Sequence, residues 1–318
     1  MQYRKLGDTG LEVSTLSYGA SSLGSVFREI NEEEGIRAVH KAVELGINYI
    51  DVSPYYGLTK AETVLGKAIM NIPRDKFILS TKAGRYGENE FDFSYARIMN
   101  SVEESMARLH TDYIDMLLLH DIEFGDFNQI ITEAIPALQK LKEQGKIRFY
   151  GVSGLPLSVF ERMLKHVDLD VILSYCHYSL NDTSLSHLLP LLTKRKVGLI
   201  NASPISMGLL SNRPVPDWHP AGEEIKQACK KAAEFCRSQG EDISKLAIQY
   251  SIADQRIPTT LVSTASVENV EKNIRWAAEP INSSLLKEVL RILEPVHNQS
   301  WAINQESKEG NNFENNRL

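Results

Sequence analysis

Four side chains within the first 120 residues stand where apolar runs end, and together they could move a proton. Residues 47–50 run into Asp51-Val52-Ser53-Pro54-Tyr55-Tyr56-Gly57; Phe77-Ile78-Leu79-Ser80-Thr81 leads into Lys82; a stretch dense in Ile, Met and Leu, residues 113–119, ends at His120. A phenol ordinarily ionises near pH ~10. A neighbouring ammonium lowers the cost of phenolate, and a carboxylate holds that ammonium in place. A histidine can hydrogen-bond a substrate oxygen and orient it. The set suits exchange between a carbonyl and an alcohol, where the oxygen gains or loses a proton as its carbon gains or loses hydride. Side chains do not carry hydride, so a nicotinamide cofactor is required. Taken singly, each residue has a plain structural explanation. Asp often ends a strand, Tyr often fills a loop, and a lone His or Lys at a strand end is usually satisfied in place or solvated. Their occurrence on three successive strand ends is what points to chemistry.

The elements that must position these residues alternate along the chain. Residues 3–16 read as a β-hairpin turning at Gly7-Asp8-Thr9-Gly10. Strands are expected at 16–18, 47–52, 77–81, 113–119, 149–152, from 171, at 197–202 and at 259–262. Helices are expected at 32–45, 61–70, 94–109, 126–144, 156–166, 183–195, 223–238 and 244–253, with two more from 267 and 284. Asn31 is placed to cap the first helix and Gly46 to stop it. Eight strand–helix units over roughly 250 residues predict an α/β fold, a (β/α)8 TIM barrel with an N-terminal β-hairpin. The apolar strands suit burial on both faces. Without an interior Pro/Gly/Ser-rich linker, residues 1–299 are expected to form one domain. Residues 300–318, with few apolar side chains, are expected to be a flexible tail.

Composition narrows the function classes. The chain has 318 residues, 42% hydrophobic and 24% charged, with net charge −6. Basic residues are scattered rather than striped, which argues against nucleic acid as a partner. No apolar run approaches the ~20 residues of a membrane span, and the start, Met1-Gln2-Tyr3-Arg4-Lys5, lacks a signal-peptide core. Cys176, Cys229 and Cys236 form neither a disulfide framework nor a metal motif. A cytoplasmic protein without a metal centre is expected. No heptad seam demands an oligomer, so a monomer is the expectation.

These motifs resemble the aldo-keto reductase family, across about residues 3–295. The family's Asp-x-x-x-x-Tyr-Gly pattern matches Asp51, Tyr56 and Gly57, its Ser/Thr-Lys matches Thr81-Lys82, and its leucine-rich strand ending in His matches Leu117-Leu118-Leu119-His120. The resemblance implies a catalytic tetrad of Asp51, Tyr56, Lys82 and His120, with Tyr56 as general acid/base. It also implies a dinucleotide laid across the barrel mouth. Gly19-Ala20-Ser21 resembles the first cofactor loop, Gly151-Val152-Ser153 the strand-5 motif that holds the carboxamide, and the segment of Ser203, Pro204, Ser206, Gly208 and Leu210 the loop over the pyrophosphate. The chain departs from the pattern in three places: Gly154 replaces an Asn, Tyr175 stands for a Gln, and Ala202 for a stacking aromatic. In NADPH-preferring relatives, cations near the last cofactor segment meet the 2′-phosphate. Counted back from Asn273, those positions are Ser263 and Asn269, both neutral here. NAD is therefore expected, with NADP possible if Lys272 or Arg275 substitutes.

Further stretches, among them residues 19–27, 120–125, 171–178 and 217–221, are similar to the L-galactose dehydrogenase subgroup. That likeness implies oxidation of L-galactose, or a related L-sugar such as L-fucose, to the lactone. Phe27, Tyr86, Asp121, His177, Trp218 and His219 are candidates to line a small-molecule sugar site, although each could equally pack or cap a loop. Two other readings stay open: an NADPH-dependent reductase of aldehydes or ketones, and a non-catalytic, cofactor-binding regulatory subunit.

Overall fold

The computed structural model describes residues 1–26 and 28–301. Ten strands run in chain order: β1 (Tyr3–Lys5), β2 (Glu12–Ser14), β3 (Leu16–Gly19), β4 (Tyr49–Asp51), β5 (Ile78–Ala83), β6 (Ile114–Leu119), β7 (Ile147–Gly154), β8 (Val171–Tyr175), β9 (Gly198–Ala202) and β10 (Thr259–Ser263). The antiparallel pair β1–β2 forms the expected hairpin, and β3 to β10 close into an all-parallel eight-stranded barrel. The helices are α1 (Glu32–Glu44), α2 (Lys60–Ile69), α3 (Tyr95–Leu109), α4 (Phe127–Gln129), α5 (Ile135–Glu143), α6 (Leu157–Leu164), α7 (Leu189–Arg195), α8 (Glu223–Ser238), α9 (Ile243–Ala253), α10 (Val267–Ala278) and α11 (Ser283–Leu293). The fold is a (β/α)8 TIM barrel. Asn31 caps α1 by accepting the Glu34 amide at 2.9 Å, and Gly46 follows the helix with φ +95°.

Two expected helices are interrupted. The span 126–144 breaks into α4, a π turn at Ile130–Ala134, and α5. Pro136 has no N–H to donate to the Thr132 carbonyl, so a regular helix cannot run through it. Residues 183–195 likewise split into a 3-10 turn, Ser184–His187, and α7. Pro190 is the obstacle there. β7 is longer than expected because pairing with β6 starts at Ile147.

Strand periodicity organises the interior. Leu6, Val13, Tyr49, Ile78, Met116, Leu118, Val171, Leu173, Ile200 and Leu261 fill the lumen. Alternate residues such as Ile50, Leu79, Leu117 and Val152 face outward and pack with helix side chains. Side chains two apart on a strand share a face. The row Tyr49-Asp51-Ser53 therefore points inward, as do Ile78-Ser80-Lys82 and Met116-Leu118-His120. In each row an apolar residue fills the lumen and a polar residue follows at the carboxyl end, the mouth.

The hairpin closes the other end. Asn48, just ahead of β4, accepts the Ser14 amide at 2.7 Å, and the Asp8 amide donates to the Lys196 carbonyl at 3.0 Å. The Arg4 guanidinium donates to the carbonyls of Ile252, Asp254 and Ile257 at 2.7–2.8 Å. Among the described residues no helix is long and apolar enough to cross a membrane, and no cluster of His, Cys, Asp and Glu could hold a metal ion. The three cysteines are free and buried. Within the expected tail, Trp301 is buried against His219; residues 302–318 lie outside the described residues.

Candidate active site

The inward rows bring Asp51, Lys82 and His120 together at the mouth, at 3%, 1% and 4% exposure. Lys82 Nζ pairs with Asp51 Oδ1 and donates to the Val52 carbonyl at 2.9 Å. Asp51 Oδ2 accepts the Ser80 hydroxyl at 2.8 Å. Burial opposes the Lys82 ammonium, but Asp51 and Tyr56 outweigh it and hold its pKa above the ordinary value. Burial raises the Asp51 pKa against the pull of Lys82.

Tyr56 arrives on the turn after β4. The Lys82 ammonium lies 4.9 Å from its ring centre and interacts with its hydroxyl. Burial pushes the phenol above its usual range, and Lys82 pulls it back. The turn is held by a close backbone approach. A Cβ on Gly57, at φ +63°, would stand 2.0 Å from the Gly24 carbonyl oxygen, and one on Gly24 would stand 2.5 Å from that of Tyr56. His120 meets Tyr56 edge-on, with ring centres 5.6 Å apart. Burial, Lys82 and Arg85 all depress its pKa well below the ordinary value, so the ring is neutral.

Two partners that sequence reasoning missed, Arg85 and Glu123, adjoin this set. Arg85, three places after Lys82, pairs with Asp121 Oδ2 at 2.5 Å and stacks 3.8 Å over the Tyr55 ring. Glu123 accepts the Leu155 amide at 2.9 Å. Burial and neighbouring Asp121 push the Glu123 pKa up to about 7. A Cβ on Gly154 would come within 2.7 Å of Glu123 Oε2, so the glycine at this departure makes room for a carboxylate. Tyr175 interacts with Asp121, whose own pKa is raised by burial. The Ser153 hydroxyl accepts the Asp121 amide at 3.2 Å. Asp121 Oδ1 and Glu123 Oε2 are buried without a protein partner. Spacing alone marks neither Arg85 nor Glu123: Arg85 stands three residues beyond a strand-end lysine, and its partners Asp121 and Tyr55 lie on other loops.

Besides Ser153 and Tyr175, which lie beside Asp121, the expected cofactor residues fall into two groups. At the ends of β3 and β10, Gly19 pairs in register with Ser263. The Ser263 hydroxyl joins those of Ser21 and Ser22 at 2.9 and 2.8 Å and accepts the Ser22 amide. Ala20 is a brace, its amide donating to the Asp51 carbonyl at 2.8 Å. Asn269 sits in the first turn of α10, capped by Ser266, and Asn273 one turn on. In the second group, after β9, Ser203 and Ser206 adopt left-handed backbone and Gly208 has φ +107°. Pro204 is buried. The Ser206 hydroxyl is committed to Asn181 at 2.6 Å and Ser179 at 3.1 Å, and Leu210 is buried in apolar packing. This loop therefore offers backbone more than side chain. The unpartnered acceptors, the hydroxyl cluster and the α10 N-terminus fit the amide, ribose and phosphate groups of a dinucleotide.

The sugar candidates are dispersed. Asp121 is at the tetrad. Tyr86 is buried, with its hydroxyl accepting the Gly84 amide at 3.1 Å and Arg97 3.9 Å over its ring. His177 belongs to a network with Asp182 and Ser184. Both ring nitrogens of His219 are engaged within its loop, by the Ser206 carbonyl at 3.0 Å and the Ala221 amide at 3.1 Å. Trp218 stacks on His219 and is 51% exposed. Phe27 lies outside the described residues.

Residues 15–294 match the model of the aldo/keto reductase family. The chain is an aldo-keto reductase. It is 49% identical to L-galactose dehydrogenase from Arabidopsis thaliana over 95% of this chain and 97% of that protein. It is 35% identical to D-arabinose 1-dehydrogenase from Saccharomyces cerevisiae over 76% of each. A solved aldo-keto reductase from Bacillus halodurans in its holo form superimposes with a TM-score of 0.78 at 29% identity, covering 97% of this chain and 100% of that one. This aldo-keto reductase is an oxidoreductase, and its family uses nicotinamide cofactors.

Proposed function

We propose that this aldo-keto reductase oxidises L-galactose, or a related L-sugar such as L-fucose, at the anomeric carbon to the lactone, with NAD as hydride acceptor. The observation that carries the substrate class is the 49% identity with L-galactose dehydrogenase across nearly the whole of both chains. Nicotinamide, when bound, supplies the hydride-accepting carbon. The protein's own residues do the rest. Tyr56, held towards phenolate by Lys82, takes the proton of the anomeric hydroxyl. Asp51 and Ser80 fix Lys82 in place. Neutral His120 orients the sugar oxygen without competing for the proton. Ser153, Tyr175 and the acceptors around Gly154 would hold the carboxamide, and Gly19, Ser21, Ser263, Asn269 and Asn273 the adenosine end.

NAD preference is supported by what surrounds Ser263. Its immediate partners are the Ser21 and Ser22 hydroxyls, groups that suit a ribose hydroxyl better than a dianionic phosphate. Lys272 is engaged elsewhere, with Asp242 at 3.4 Å and the Trp276 ring at 4.3 Å. The deciding experiment offers L-galactose, L-fucose, D-arabinose and simple aldehydes with NAD or NADP and follows reduced cofactor. L-sugar oxidation with a higher kcat/KM for NAD is expected. No oxidation of any L-sugar overturns the substrate reading, and a strong NADP preference overturns the cofactor reading.

A further inference from the structure

We propose that Ser53 is a positioning residue that sets the tautomer of His120, placing the single ring proton on Nε2. Ser53 is fully buried, and its Oγ lies 2.9 Å from His120 Nδ1. The same oxygen accepts the Tyr55 amide at 3.1 Å. A hydroxyl has one proton to give. With the amide on its lone pair, Ser53 donates that proton to Nδ1. In the other tautomer Nδ1–H would point at Oγ, which would then accept twice, and the hydroxyl proton would be stranded in a site closed to water. A second contact, on the far side of the ring, favours the same state. Nε2 lies 3.6 Å from Asp121 Oδ2. An Nε2 proton faces that carboxylate favourably, whereas an Nε2 lone pair would face it with like charge.

The neutral ring depends on Lys82 and Arg85, which together with burial keep a second proton away. His120 then presents an N–H donor at the mouth, with no rearrangement needed before a substrate oxygen binds. This step rests on the proposed role of His120 in orienting that oxygen. The signal is local in sequence, because Ser53 lies two residues beyond Asp51 on the same inward row and so on the same side as the tetrad.

The test is long-range proton–nitrogen NMR on the full chain labelled with 15N-histidine, with a His120→Asn variant to assign the resonance. A single neutral tautomer protonated at Nε2 is expected in the wild-type protein. Ser53→Ala should give a mixture of tautomers and lower kcat roughly tenfold with NAD affinity retained; Ser53→Thr, which keeps the hydroxyl, should restore the single tautomer. A wild-type ring protonated at Nδ1, or a Ser53→Ala ring still wholly at Nε2, overturns the proposal. If Ser53→Ala does not fold, Ser53→Cys, a near-isostere with a much weaker donor, is read in its place by the same criteria. The spectrum is read without substrate, so failure of the sugar assignment leaves it intact, and the converse holds as well.

Discussion

At Tyr56 two effects of opposite sign meet: burial favours the neutral phenol and Lys82 favours the phenolate. Replacing Tyr56 with Phe removes the proposed proton acceptor and little volume. Turnover should fall by about a hundred- to ten-thousand-fold while NAD still quenches protein fluorescence with its original affinity. A variant that keeps its turnover would remove Tyr56 from the proton path. Glu123 makes a separate prediction about stability. Its carboxyl ionises at about 7 in the folded protein against an ordinary value of 4.5, so the folded state holds the proton more tightly than the unfolded state. Its contribution therefore turns against the fold as pH rises from about 4.5 to about 7 and stays unfavourable above that window. Melting temperatures of wild type and Glu123→Gln across this range should show the wild type falling relative to the variant. Parallel curves would refute the assignment.

At the scale of elements, the loops after β3 and β4 act as one piece, because Gly24 and Gly57 touch through their backbones. Gly57→Ala forces them apart beside Tyr56 and should cost about 1–3 kcal/mol along with much of the activity. Gly10→Ala is the control. Its φ is also positive, +73°, but nothing lies within 4 Å, so only backbone strain is added and activity should be unchanged. Urea titration and kcat for both variants check the pair. These elements also mark how far the sequence could be read. Asp51, Lys82 and His120 were legible because β-strand ends are local and the row of alternate residues continues through them. Arg85, Glu123 and the opening left by Gly154 were not, since their meaning comes from contacts between loops that only the closed barrel brings together. The break in the expected helix 126–144 was written in Pro136, a residue the periodicity alone passes over.

For the whole molecule, the hairpin is both plug and strap. Arg4 ties it to three carbonyls at the α9–β10 junction, some 250 residues away in sequence. Each bond to a charged donor is worth ~1.5–3 kcal/mol, but the three share one side chain that water partly reaches. Arg4→Ala should therefore lower unfolding stability by about 2–4 kcal/mol. The kcat/KM of the folded fraction should not change, because the proposed catalytic residues lie at the opposite end of the barrel. A loss of activity without loss of stability would mean that the two ends communicate.

The same closure gives the barrel a handle. The chain enters through β1 at the sealed end, while Trp301 is fastened beside His219 in a loop at the open end. A tether fused ahead of β1 would leave the mouth facing away from the support, whereas one joined directly after Trp301 would depart beside the opening. For an immobilised oxidoreductase in which cofactor must diffuse in and out, attachment at the hairpin end is the orientation the fold favours.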